Sequence, residues 1–174
     1  MTKQITRAAL PGDALSLAGV KSRYMRALYR GYLPAELLKQ LHETYFLTQV
    51  QEWLEEGRQI EVLETDGDVT GFVVYDADPE EAGCGLILEA AILPASGGMD
   101  KAMLMNAVMG KLKAQYARVH VWTMRDNFRA RFLFDNFGFR RDCAQRTADV
   151  EGHTVDVIRL TWAAAQDGAD AADE

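Results

Sequence analysis

The chain has 174 residues, 48% of them hydrophobic, which is enough to bury one core and suggests a single domain. Nineteen Lys+Arg against 26 Asp+Glu give a formal charge of −7, and setting aside the four acids of the last twelve residues, AAAQDGADAADE, leaves −3. So mild an acidity argues against broad nucleic-acid binding, which needs dense positive surface, and no signal-peptide core or run of about 18 apolar residues marks export or a membrane span.

A soluble, cytoplasmic protein is therefore expected. Cys84 and Cys143 lie far apart without C-x-x-C spacing and are accompanied by only three histidines, so neither a disulfide framework nor a metal site is expected.

In chain order, KQITRA at 3 to 8 reads as a first strand, and LPGD at 10 to 13 as a turn offering Asp13 as a helix N-cap. Leu17, Val20, Tyr24, Ala27 and Leu28 recur at helical spacing, predicting a helix over 14 to 29 that breaks at Gly31 to Pro34. A second helical stretch covers 35 to 54 with an interruption near Thr44. The period then changes: QIEVLETDGDVTGFVVYDA holds two β-rich runs around Asp66-Gly67, a dipeptide that favours a tight hairpin.

GLILEAAIL, 85 to 93, is apolar except for Glu89, as expected of a strand covered on both faces. DKAMLMNAVMGKLKAQY puts Met103, Leu104, Ala107, Val108 and Leu112 on one helical face, and the methionines at 99, 103, 105 and 109 read as fillers of core gaps. RVHVWTM is another strand, in which His120 reads as a core or edge histidine, whereas His42 and His153 read as surface residues. NFRARFLFDNFGF is a helix ending at Gly138, and the remainder forms two strands joined through Glu151-Gly152. The expected organisation is one domain over 1 to 162 and an acidic, disordered tail over 163 to 174. The element order implies an α/β (α+β) fold, a mixed sheet with helices on both faces.

The segment LPASGGMDKAML, 93 to 104, joins the Glu89 strand to the next helix and supports two readings. In one, the amides of Ser96 to Met99 face a phosphate group, as helix starts favour. In the other, Asp100 is a helix N-cap whose carboxylate occupies those amides, worth about 1 kcal/mol to the helix.

DNFRARFLFDNFGF, 126 to 139, resembles the late-helix motif D-N-x-R-A-x-x-F-Y-x-x-x-G-F of the GNAT N-acetyltransferase superfamily, through Asp126, Asn127, Arg129, Ala130, Gly138 and Phe139. ALYRGYLP and DGDVTGFVVY add softer similarity, and the resemblance spans 5 to 162. It implies a mostly antiparallel central sheet in which two parallel strands, LILEAAIL and VHVWTM, splay apart around acetyl-CoA as cosubstrate. The implied contacts are main chain of Ala91, Ile92 and Leu93 on the pantetheine arm, which extends an open strand edge. Asn127 and Ala130 border the thioester end. The family's pyrophosphate turn, Q/R-x-x-G-x-G/A, matches Ala95, Ser96, Gly97, Gly98, Met99 and Asp100 only at Gly98, while Lys101 stands beside Asp100 to offset its charge.

The activity implied is direct attack of a primary amine, on a small molecule, peptide or protein, upon the acetyl thioester. The alternative is a catalytically inactive GNAT-fold binding or regulatory protein with a weakened or lost CoA site. The family often draws a general acid from the Tyr of its F-Y pair, but Phe134 stands there, preceded by Leu133, and reads as a core aromatic. Glu89 is either a general base, as a Glu on this strand is in many members, though its offset from Pro94 departs from the usual catalytic position, or the partner of an Arg or Lys at a sheet rim. Tyr24, Tyr29 and Tyr32 fall where the resemblance puts the acceptor pocket. The acceptor itself, and whether the chain forms a homodimer through its closing strands, stay open.

Overall fold

The computed structural model describes residues 2–93 and 95–165. Among the described residues, seven strands form one sheet in the order β1-β2-β3-β4-β5-β7-β6. They are β1 Gln4–Ala8, β2 Gln59–Thr65, β3 Asp68–Ala77, β4 Cys84–Ile92, β5 Arg118–Met124, β6 Arg140–Val150 and β7 His153–Ala163. Every neighbouring pair is antiparallel except β4 with β5. The hairpins fall where Asp-Gly and Glu-Gly require them: Asp66 and Gly67 have φ of 52° and 93°, Glu151 and Gly152 of 51° and 76°. Positive φ at both central residues gives turns whose twist matches the flanking strands.

Among the described residues, five α-helices cover the faces: α1 Ala14–Leu28, α2 Ala35–Gln40, α3 Glu43–Glu55, α4 Gly98–Gln115 and α5 Phe128–Asn136. On one side Leu17, Val20, Phe46, Val50 and Trp53 of α1 and α3 pack on Val62, Phe72, Val74 and Ala91 of the sheet. On the other, Leu104, Met105, Val108, Met109 and Leu112 of α4, with Phe134 of α5, pack on Leu63, Val73, Ile87 and Val121. The middle strands are covered on both faces, which explains why β4 is apolar except for Glu89, as expected.

Several expectations are corrected. The second helical stretch is two helices, because the chain breaks at Leu41 and His42, where the His42 ring accepts the Tyr45 amide at 3.3 Å and starts α3. Asp13 precedes α1 without capping it, since its carboxylate takes the Leu10 amide at 2.7 Å and Arg7. Met99 is 86% exposed and fills no core gap. The domain boundary moves beyond 162: Ala163 pairs with Arg118, and the Ala164 amide donates to Ala117 at 2.8 Å. The rest of the expected tail, 166 to 174, lies outside the described residues.

Candidate functional site

The parallel pairing of β4 with β5 is short. It runs from Cys84↔Arg118 to Ile87↔Val121 and stops, although both strands continue. The cause lies in β4. Against β3, Tyr75 pairs with Ile87 but Val74 pairs with Glu89, so Leu88 is an extra residue without a partner. Such a bulge bends its strand and sharpens the local twist. It also breaks the alternation of faces: Ile87 packs on the α4 side, Leu88 on the α1 side, and Glu89 again on the α1 side, where it meets Lys21.

A cleft of about 600 Å³ opens where the strands part, lined by β4 from Ile87 to Ala90, β5 from Val121 to Met124, Tyr24, Tyr29 and Tyr32, and the start of α5. Beyond the bulge the β4 main chain is unpaired on the β5 side. The Leu93 amide donates to Thr70 at 3.0 Å, so Leu93 and, by alternation, Ala91 turn their polar groups toward β3. Ala90 and Ile92 are the residues whose N–H and C=O face the gap. This corrects the set expected from sequence, Ala91, Ile92 and Leu93, of which only Ile92 faces the cleft.

Glu89 lines the cleft, and its Oε2 accepts from Lys21 Nζ at 2.7 Å. Lys21 is buried and lies over the rings of Trp53 and Phe46, at 4.7 and 5.2 Å. Of the two readings of Glu89, the ion pair is thus realised, with its lysine on the first helix. A carboxylate bonded to a buried ammonium through one oxygen still has lone pairs on the other.

Asn127 caps α5, accepting the Ala130 amide at 3.1 Å, and its Nδ2 donates to the Tyr24 hydroxyl oxygen at 3.4 Å. That leaves the Tyr24 O–H free to donate. Burial, more than the neighbouring Glu89, pushes the Tyr29 hydroxyl up to about 12 and raises that of Tyr24, so both stay protonated near neutral pH. Phe134 is buried edge-on against Phe139, with ring centroids 5.2 Å apart, and carries no acid. Tyr24 on α1 and Tyr29 just after it line the cleft.

At the start of α4, Gly97 is the N-cap, and Asp100 stands three residues in. The carboxylate reaches back to the Gly97 amide at 2.9 Å and also accepts from Gln4 of β1. Asp100 is therefore not the cap residue itself, yet it does occupy one amide of the turn. The amides of Gly98, Met99 and Asp100 belong to the first turn, which has no carbonyl to offer them within the helix. A Cβ added at Gly98 would meet nothing within 4 Å, so the surface over this turn is open. Lys101 follows and lines the cleft.

No protein-family model and no curated protein matches the sequence. Solved structures do. A GCN5-related N-acetyltransferase from Rhodopseudomonas palustris superposes with a TM-score of 0.72 at 16% identity, over 93% of this chain and 96% of that one. An N-acetyltransferase from Staphylococcus aureus gives 0.68 at 17%, over 92% and 98%. PaiA N-acetyltransferase from Thermoplasma acidophilum, solved in complex with coenzyme A, gives 0.65 at 14%, over 92% and 99%.

The chain has the GNAT fold. At these identities the likeness is one of architecture, and it covers nearly the full length of each chain. The GNAT fold accounts for the mostly antiparallel sheet and the single parallel pair that splays. Within it the structure gathers Glu89, Asn127, Ala130, Ile92 and Lys101 around one cleft. Lys21 and Leu88 have no signal of their own in the sequence: one is a charge inside a helix, the other an ordinary apolar strand residue.

Proposed function

We propose that the protein is an acyl-CoA-dependent N-acyltransferase that uses acetyl-CoA and acetylates a primary amine on a small molecule, peptide or protein. The observation that carries this reading is the open main-chain edge of β4 beyond the Leu88 bulge, beside a cleft of about 600 Å³. An unpaired strand edge is a template for an extended chain bearing amide groups, and a pantetheine arm is one. The acyl thioester supplies an activated acetyl group. The residues of this chain do the rest.

In this reading Ala90 and Ile92 pair with the pantetheine amides, and the turn from Ser96 to Met99, with Lys101, faces the pyrophosphate. Asn127 and Ala130 border the thioester. Glu89, through the oxygen not bound to Lys21, takes the proton of the attacking amine, directly or through water. The Tyr24 hydroxyl donates toward the departing sulfur, the role for which Phe134 has no group. A thiol near pKa 8.5 is a tolerable leaving group at neutral pH, so this help raises the rate without being indispensable.

The test is calorimetric titration of the purified chain with acetyl-CoA, followed by thiol release over a panel of amines. Saturable binding and amine-dependent release are expected. No binding at millimolar acetyl-CoA would end the proposal. A second reading, a binding protein that no longer turns over, is favoured by one contact: Asp100 holds the Gly97 amide that a pyrophosphate would use. Binding of CoA without thiol release from any amine would support it.

A further inference from the structure

At the opposite end of the β4–β5 pair from the cleft lies a second cluster of chemically active groups. Cys84 opens β4, His120 sits in the middle of β5, and Asp78 and Glu81 come from the loop between β3 and β4. Cys84 and His120 project from the sheet face opposite α4, because Gly85 and Val119 occupy the α4 side. His120 has no exposed surface, and its Nδ1 is 2.7 Å from Asp78 Oδ2. Its Nε2 is buried with no hydrogen-bond partner among the described residues. That nitrogen points toward Glu81, whose Oε2 is 3.7 Å away, and Cys84 Sγ completes a trio whose atoms all lie within 4.8 Å of one another.

A buried imidazole nitrogen without a partner costs about 1 to 3 kcal/mol. Asp78 Oδ2, an acceptor 2.7 Å from Nδ1, fixes the Nδ1–H tautomer and leaves Nε2 with a lone pair. Carboxylate to imidazole to vacant lone pair is the arrangement found behind metal-bound histidines. We propose that His120 Nε2, Cys84 Sγ and a Glu81 oxygen bind a divalent transition metal, Zn2+ by the nature of the donors.

The donor set is one nitrogen, one sulfur and one oxygen, suited to a borderline-soft ion and unsuited to Mg2+ or Ca2+, which take oxygen. Ligand atoms around tetrahedral zinc sit about 3.3 to 3.7 Å apart, so closure requires shifts of about 1 Å. Charge points the same way. Glu81 Oε1 is paired with Arg118 at 2.8 Å; Arg159, 3.3 Å from Oε2, is itself bonded to Asp142 at 2.7 Å. Arg118 and Arg159 thus serve three carboxylates, those of Asp78, Glu81 and Asp142. A divalent ion bound with Cys84 as the thiolate adds one net positive charge beside these carboxylates. On binding, the Cys84 S–H bond breaks, its proton leaves to solvent, and a metal–sulfur bond forms. Water holds the fourth position. The site spans three of the four residue pairs that join β4 to β5, from Cys84↔Arg118 to Leu86↔His120, so the ion would clamp the two strands below the splay.

The test is titration of the reduced, chelator-treated full chain with Co2+, a spectroscopic stand-in for Zn2+. One Co2+ per chain, with a thiolate-to-cobalt charge-transfer band and tetrahedral d–d bands displaced by Zn2+, is expected. Cys84→Ser should abolish the charge-transfer band and Cys143→Ser should keep it, while Asp78→Asn should weaken affinity about 10- to 100-fold. X-ray absorption of the unmutated Zn2+-loaded chain, expected to show one sulfur near 2.3 Å among nitrogen and oxygen ligands, makes the result independent of how the variants fold. No thiolate band with Cys84 verified as reduced, a band that survives Cys84→Ser, or a zinc shell without sulfur would each overturn the site.

Discussion

Glu89 stands out in the sequence because a single carboxylate interrupts an apolar strand, and burial of an unpaired charge is costly. Its partner does not stand out. Lys21 is flanked by buried Val20 and Ser22 on α1, and nothing in a helical pattern distinguishes a lysine that turns inward from one that faces water. The pair is mostly buried, with side chains 4% and 15% exposed. Removing the lysine strands a carboxylate, so Lys21→Met should lower unfolding free energy by about 3 kcal/mol in urea denaturation. Lys21→Met combined with Glu89→Gln should recover much of that loss, because neither charge then lacks its partner. The proposed roles of the cleft tyrosines make a separate prediction. Tyr24→Phe should reduce kcat for thiol release by about 10²-fold while the calorimetric Kd for acetyl-CoA changes little, since the hydroxyl acts on the departing sulfur and not on the nucleotide.

At the scale of elements, the bulge in β4 decides what the cleft contains. The bulge at Leu88 puts Leu88 and Glu89 on the same face; with regular alternation through Ile87 and Leu88, Glu89 would point at α4 and never reach Lys21. Bulges leave no mark in an apolar run such as LILEAAIL, so the strand was legible and its register was not. The start of α4 was half legible in the same way. Asp100 was rightly a residue that competes for amides, but its place three positions inside the helix, bonded to the Gly97 amide and to Gln4, depends on β1 lying alongside. Asp100→Gly frees that amide and removes a negative charge from the proposed pyrophosphate site. CoA affinity should rise on the order of tenfold, while the helix start loses about 1 kcal/mol, read by calorimetry and thermal melting respectively. An unchanged affinity would mean that the turn does not meet the nucleotide.

For the whole molecule, element order and the DNFRARFLFDNFGF motif made the architecture legible, because strand and helix periods and turn residues are local signals. The cluster of Glu81, Cys84 and His120 was not, since its members come from a loop, a strand end and a later strand, and only the parallel β4–β5 pairing brings them together. Ionisation adds a test of the fold at both ends of the pH scale. Asp13, Asp78 and Asp142 all lie below their ordinary range: burial opposes this in all three, but at Asp13 the Arg7 hydrogen bond is the larger effect, and at Asp78 and Asp142 several hydrogen bonds and charges together, led by His120 and Thr161, outweigh it. Groups lowered in the folded state stabilise it fully above their unfolded value near 3.9 and lose that contribution as pH falls below it. Tyr24 and Tyr29, raised chiefly by burial, stabilise the fold below about pH 10, and the contribution disappears as pH climbs toward the Tyr29 value of about 12. Melting temperature should be level between roughly pH 5 and 9 on these accounts, falling on either side. Tyr29→Phe should soften the alkaline fall, and Asp13→Asn the acid one.

The four pairs from Cys84↔Arg118 to Ile87↔Val121 are also the whole backbone seam between one half-sheet, β1 to β4, and the other, β5, β7 and β6. An extended guest laid along Ala90 and Ile92 would lengthen that stitching and splice the halves together. Amide hydrogen exchange in the free chain should thus be fastest, among interior strands, at the loose lip of β4, and slow there most when the groove is filled.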